Sequence, residues 1–96
     1  MTSKQRAYLK GLAMNIEPVF QVGKSSITPE MTEAVSECLK KRELIKISVL
    51  KNCMDVPSQI AEILAERTNS TVVQVIGKKI VLYKRNNENP KIELPK

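Results

Sequence analysis

Pro18-Val19-Phe20-Gln21-Val22-Gly23-Lys24-Ser25-Ser26-Ile27-Thr28-Pro29-Glu30 passes from an apolar, strand-like run through a short polar loop into a helix start. Thr28 stands at the N-cap position, Pro29 at the first helical position and Glu30 just behind it, a strong start signal. Gly23 lets the backbone turn sharply and approach a ligand closely. Lys24 adds a cation, and Ser25 and Ser26 add hydroxyl donors. The helix behind is expected to supply unpaired N–H groups at the positive end of its dipole, so the junction suits a phosphate oxygen.

Downstream, Met31, Ala34, Val35, Cys38 and Leu39 recur at helical spacing as a buried stripe, with Glu30, Glu33 and Glu37 opposite. Lys40-Lys41-Arg42 closes this helix and complements its dipole, a structural reason for the basic run. Leu44–Leu50 alternates as a second strand, with Ile45, Ile47 and Val49 facing one way and Lys46 and Ser48 the other. A third helix follows, capped by Asp55, with Pro57 in its first turn and Ile60, Ile63 and Leu64 as its core face. Thr71–Ile76 and Ile80–Tyr83 read as strands three and four, joined by Gly77-Lys78, a short hairpin turn of the Gly-first kind.

Upstream, Thr2 or Ser3 caps a first helix running to about Lys10, with Gly11 as its stop. Tyr8, Leu9 and Leu12 share its core side, while Arg6 and Lys10, four apart, share another and turn cations outward. The element order is α-β-α-β-α-β-β. Strand–helix–strand units favour parallel pairing through right-handed crossovers, and the last pair is an antiparallel hairpin. The expected fold is α/β, a small four-stranded mixed sheet with three helices, in one domain over residues 1–85. Residues 86–96, with two prolines and four charges, form a tail expected to be loosely held.

The 96 residues carry 16 Lys and Arg against 10 Asp and Glu, a formal net charge of +6. Residues 1–16 hold Lys4, Arg6 and Lys10 and no acid; residues 67–87 hold Arg67, Lys78, Lys79, Lys84 and Arg85 and no acid. If the two blocks meet in space, one face is positive and suits a polyanion. Tyr8, Phe20 and Tyr83 are the only aromatic residues, so the core is aliphatic and a platform of exposed stacking rings is not expected.

Enzymatic chemistry finds little to work with. There is no histidine to act as a base near neutral pH, and Cys38 and Cys53 make no metal-ligand spacing, so no cofactor is expected. Gly23-Lys24-Ser25 copies the end of a nucleotide-binding P-loop, but the glycine required five residues earlier is Pro18. No apolar run approaches the roughly 20 residues that span a bilayer, and the N-terminal stretch lacks the apolar core of a secretory signal. A cytoplasmic, monomeric protein with neither membrane partner nor small-molecule substrate is expected.

RNA fits better. A short loop at a helix N-terminus can hold backbone phosphates, and KH domains use a GXXG loop in that way. The candidate contacts are Gly23, Lys24, Ser25 and Ser26 in the loop, Lys4, Arg6 and Lys10 in the first helix, and Lys78, Lys84 and Arg85 around the hairpin.

Segments along nearly the whole chain then point to a family. They run from Lys4-Gln5-Arg6-Ala7-Tyr8-Leu9-Lys10-Gly11-Leu12-Ala13 through Pro18–Gly23 and Glu43-Leu44-Ile45-Lys46-Ile47. They continue in Val73–Lys78 and Ile80–Arg85 and close with Lys91-Ile92-Glu93-Leu94-Pro95. In order and spacing the chain resembles the CRM domain family (chloroplast RNA splicing and ribosome maturation), in its bacterial single-domain YhbY-like branch. The resemblance implies an α/β domain similar to the C-terminal domain of translation initiation factor three. It further implies non-catalytic binding to rRNA in precursors of the large (50S) ribosomal subunit, assisting ribosome assembly. The family's GXXG loop maps onto Gly23–Ser26, with Ser26 in place of the second glycine, and its basic surface maps to Arg6, Lys10 and Lys24. The alternative from another class is a protein-interaction module that docks a ribosomal protein or assembly factor on the acidic faces of helices two and three.

Overall fold

A computed structural model describes the chain from Met1 to Lys96. The elements are α1 (Ser3–Ala13), β1 (Phe20–Val22), α2 (Pro29–Arg42), β2 (Leu44–Val49), α3 (Pro57–Thr68), β3 (Thr71–Ile76) and β4 (Lys79–Tyr83). The strands form one sheet in the order β1-β2-β4-β3. β1 and β2 are parallel, whereas β4 is antiparallel to both β2 and β3. This is the expected α/β fold with a mixed four-stranded sheet. Its strand order is not a local property: α3 delivers β3 one strand away from β2, and β4 folds back into the gap.

Both sheet faces are covered, by different elements. Ile45, Ile47 and Val49 of β2 join Ile80, Leu82 and Val22 under α2 and α3, where Val35, Leu39, Ile60 and Leu64 complete the larger core. On the opposite face Leu44, Val73, Val81 and Tyr83 pack with Leu9 and Ala13 of α1, and Ile92 and Leu94 of the tail join them. The β2 alternation read from sequence therefore separates two cores rather than core from solvent.

Several local expectations are corrected. Helix α1 passes through Gly11 to Ala13, because the two last residues before Met14 still bury their side chains on the sheet. Thr2 is its cap, in a reciprocal capping box with Gln5. Tyr8 faces outward at 43% exposure, so the core side is Leu9, Leu12 and Ala13. Strand β1 is shorter than Pro18–Val22, although the Val19 N–H still donates to the Lys46 carbonyl at 2.9 Å. β2 ends at Val49 rather than Leu50, and β4 begins at Lys79. Ala34 is exposed, outside the α2 stripe. In α3 the buried residues are Ile60, Ala61, Leu64, Ala65 and Thr68, and Ile63 turns outward. The small side chains at 61 and 65 pack into the larger core with Ile60 and Leu64. Asp55 does not cap α3; Val56 occupies the cap position with no side-chain bond.

The tail, expected to be loosely held, is docked. Glu43 follows α2 with a positive φ of 64° and is fully buried. Its Oε2 accepts from the Asn86 N–H at 2.9 Å, and its Oε1 accepts from the N–H groups of Ile92, at 2.8 Å, and of Lys91. Burial would raise this carboxyl, but the amides of Asn86, Lys91 and Ile92 and the Arg85 charge outweigh it and hold the carboxyl below the ordinary glutamate value. Its folded-state value is depressed, so its stabilisation is complete above the unfolded value and is lost as pH falls through the folded one, below about pH 4. Glu43→Gln keeps an acceptor for Lys91 and Ile92 but turns an amide donor toward the Asn86 N–H. We expect it to lose about 1–3 kcal/mol at neutral pH. Urea titrations should show the gap between wild type and variant narrowing as pH falls below the ordinary glutamate value; equal stability at pH 7 would mean that the tail docks without this charge.

Candidate nucleic-acid interface

The register places the Gly23–Ser26 loop at one end of the sheet. Val22 pairs with Val49, Ser48 with Lys79, and Ile76 with Lys79, so the loop, the residues after β2 and the 77–78 turn share this end. The Leu50 N–H donates to the Val22 carbonyl at 2.8 Å, and the Val49 N–H to the Lys78 carbonyl at 2.7 Å. These bonds tie the three segments together. Gly77 takes a positive φ of 55°, as the Gly-first turn requires.

Within the loop, the left-handed residue is not the glycine. Ser26 has φ 54°, and its N–H closes the turn on the Gly23 carbonyl at 2.9 Å. Ser26 stands where the second glycine of a GXXG loop would stand, and it adopts the backbone a glycine would supply, at the steric cost of a Cβ there. Its hydroxyl hydrogen-bonds the Asp55 carboxylate, which holds the loop against the start of α3. A Cβ at Gly23 would meet only ordinary contacts, Asn52 Oδ1 at 3.4 Å and Leu50 Cδ1 at 3.6 Å. Gly23 thus marks the strand end rather than a forced conformation.

The helix dipole contributes less than the sequence promised. The Met31 N–H is taken by the Thr28 hydroxyl at 3.1 Å, Pro29 has no N–H, and Glu30 brings an acid into the first turn. The anion-facing groups are those of the loop itself. The amides of Lys24 and Ser25 donate to no group of the chain, and both residues are exposed. Asp55 at the Ser26 hydroxyl and Glu30 in the first turn of α2 put acids beside this loop, and Lys78 is exposed on the turn at the same end of the sheet.

The single positive face expected from the two basic blocks resolves into two ends. Gly23, Lys24, Ser25, Ser26 and Lys78 share the loop end, and Lys10 lies in the half of α1 that runs toward it. Lys4, Arg6, Lys84 and Arg85 lie at the opposite end, where Leu44 and Thr71 pair with Tyr83. Two of these cations are occupied. Arg6 Nη1 donates to the Val72 and Val73 carbonyls at 2.7 and 2.8 Å, where a register shift interrupts the β3–β4 ladder. Lys84 Nζ donates to the Thr68 carbonyl at the end of α3 at 3.1 Å. Lys4, Lys10, Lys24, Lys78 and Arg85 are exposed. Lys46 and Lys79, absent from the candidate set read from sequence, face the α1 side of the sheet near the loop end. Their positions in alternating strands were visible, but not that the helix above them stops short. No helix is long and apolar enough to cross a membrane.

The family model described as the CRS1 / YhbY (CRM) domain matches residues 1–84. The chain is 45% identical over 95 residues to Bacillus subtilis YqeI, named a probable RNA-binding protein, with 99% of each chain covered. It is 33% identical over 96 residues to a Haemophilus influenzae protein named an RNA-binding protein, covering 100% of this chain and 96% of that one. A solution structure of a Staphylococcus aureus hypothetical protein, described as a candidate RNA binder, superposes with a TM-score of 0.82 at 48% identity over 99% of both chains.

Two threonine and aspartate substitutions separate cap from tether. Thr28→Ala should cost about 1 kcal/mol, the usual loss of an N-cap. Asp55→Ala should leave α3 as stable as before while hydrogen exchange accelerates at the Ser26 amide, which closes the turn on the Gly23 carbonyl. Slowed or unchanged exchange there, with a melted α3 N-terminus, would restore Asp55 as the cap.

Proposed function

The chain belongs to the CRS1 / YhbY (CRM) domain family, and we propose that it is a non-catalytic, cytoplasmic RNA-binding protein that acts as a monomer. Its target in this proposal is rRNA in precursors of the large (50S) ribosomal subunit, whose assembly it assists. The observation that carries the reading is the Gly23–Ser26 turn, in which the amides of the exposed Lys24 and Ser25 have no acceptor, at the same end of the sheet as the exposed Lys78. The RNA-binding names of relatives that align over nearly their whole length support it.

The mechanism is electrostatic positioning. Backbone amides and the Ser25 hydroxyl meet phosphate oxygens at fixed directions, while lysines neutralise charge and release counterions. The Ser26–Asp55 bond holds the turn before RNA arrives, which lowers the ordering cost of binding. Sequence preference is expected to be weak at this loop, since phosphate contacts carry no base information.

Contact with about five phosphates gives a log–log salt slope of roughly −3 to −4 on single-stranded RNA. Lys24→Glu combined with Lys10→Glu should remove most RNA affinity in fluorescence anisotropy without changing the circular dichroism spectrum. Arg6→Ala should instead lower thermal stability, because it leaves the Val72 and Val73 carbonyls without their donor. Crosslinking in cells, followed by sequencing of the attached RNA, should recover large-subunit rRNA. A partner captured equally after ribonuclease digestion, with no rRNA enrichment, would favour protein docking on the acidic faces of α2 and α3.

A further inference from the structure

Helix α1 covers only part of its sheet face. The core beneath it ends near Val81, and the next row across the sheet, Gln21, Ser48, Lys79 and Ile76, has no helix above it. Where α1 stops, Met14 is left 82% exposed and Ile76, on the last residue of β3, 61% exposed. Between them Lys46, Gln74 and Lys79 line a cleft of about 170 Å³. Two exposed apolar side chains, two ammonium groups and a carboxamide thus line one small opening beside the end of α1.

We infer that this cleft is a second RNA contact, which takes one unstacked nucleobase between Met14 and Ile76 while Lys46 and Lys79 meet the adjoining phosphates. The inference rests on the RNA reading above and adds a site outside the Gly23–Ser26 loop. Its size decides between ligands. Small-molecule and cofactor sites occupy about 300–1,000 Å³, so this opening suits a single planar ring held at the end of a longer chain.

Charge decides between partners. No carboxylate lines the cleft. Five of the ten acids, Glu30, Glu33, Glu37, Glu62 and Glu66, are on α2 and α3, which cover the other sheet face. An apolar peptide, or a second copy of the chain docking by this same face, would cover Lys46 and Lys79 without compensating them, whereas a phosphodiester supplies the counter-charge beside the base. Lys79 Nζ is already held by a bond to Ser48 Oγ at 2.9 Å, which fixes its direction and leaves further donors for phosphate. Gln74 offers both a donor and an acceptor to a base edge.

Reach is sufficient. From β1, which carries the loop, to β3 is three strand spacings, about 14 Å, or about four nucleotides at the stacked rise of roughly 3.4 Å each. One short single strand can therefore touch both places.

The test compares two oligoribonucleotides of equal length and phosphate count, one carrying bases and one abasic at its central positions. Wild type should bind the base-bearing strand about three- to tenfold more tightly, and the Met14 methyl resonance should shift only with that strand. Met14→Ser with Ile76→Ser removes apolar wall without changing charge, at positions exposed enough to leave folding intact. It should abolish the preference and keep the abasic affinity, whereas Lys24→Glu should weaken both strands in proportion. Wild type that binds both strands equally, or a double variant that keeps the preference, overturns the base site and leaves the loop reading standing. Failure of wild type to bind either strand overturns the RNA reading itself and this inference with it.

Discussion

A buried glutamate joins three parts of this domain. Glu43 receives three amides of the tail, its own N–H closes α2 on the Leu39 carbonyl at 2.8 Å, and its carbonyl accepts from the Lys84 N–H at 2.8 Å. An ionised group out of contact with solvent is tolerable only when donors meet its oxygens, and here three amides do. The chain after β4 must therefore turn back across the sheet and bring Ile92 and Leu94 to the face where α1 packs. One of the two cores depends on that return. Tyr83, at the same place, shows the polar cost of the arrangement: burial, and then the Glu43 charge, push its hydroxyl up, and its Oη has no partner within the chain.

Much of this architecture was legible in the sequence, because it rests on local signals. The Thr28-Pro29 start of α2, the β2 alternation and the Gly77-Lys78 turn are written in residues that act over a few positions. Glu43 was not legible: between Arg42 and Leu44 it looks like one more surface charge, and its donors lie 43 to 49 residues away. The strand order was hidden for the same reason, since pairing depends on which edge of β2 is still open when the hairpin arrives. Ile63 misled through its size. A helix seated close on a sheet buries its small residues, Ala61 and Ala65, and leaves the larger neighbour at the margin.

The candidate site divides along a similar line. Sequence located the loop, but it could not tell a free cation from an occupied one. Arg6 serves an edge strand: where the β3 ladder slips, two carbonyls need a donor, and a guanidinium with several N–H groups can serve both at once. Lys84 closes the end of α3 in the same manner. With these two engaged inside the fold, the free cations among the proposed contacts are Lys24, Lys78 and Lys10 toward the loop end of the sheet and Lys4 and Arg85 at the other. The acids on the α2 and α3 side repel a polyanion from the other direction, so the approach of RNA is constrained even without any base contact.

Placing a serine at the left-handed position of the loop then has a consequence for how firmly the turn is held. A glycine there would adopt φ 54° without strain but would also leave the loop free to sample other conformations. Ser26 is strained in that backbone, and its hydroxyl bond to Asp55 supplies the compensating restraint. The loop gives up the glycine's freedom and gains a tether to the segment that starts α3. If the loop amides meet phosphates as proposed, a turn held in one shape before binding is worth more than a flexible one, because less order must be created when the strand arrives.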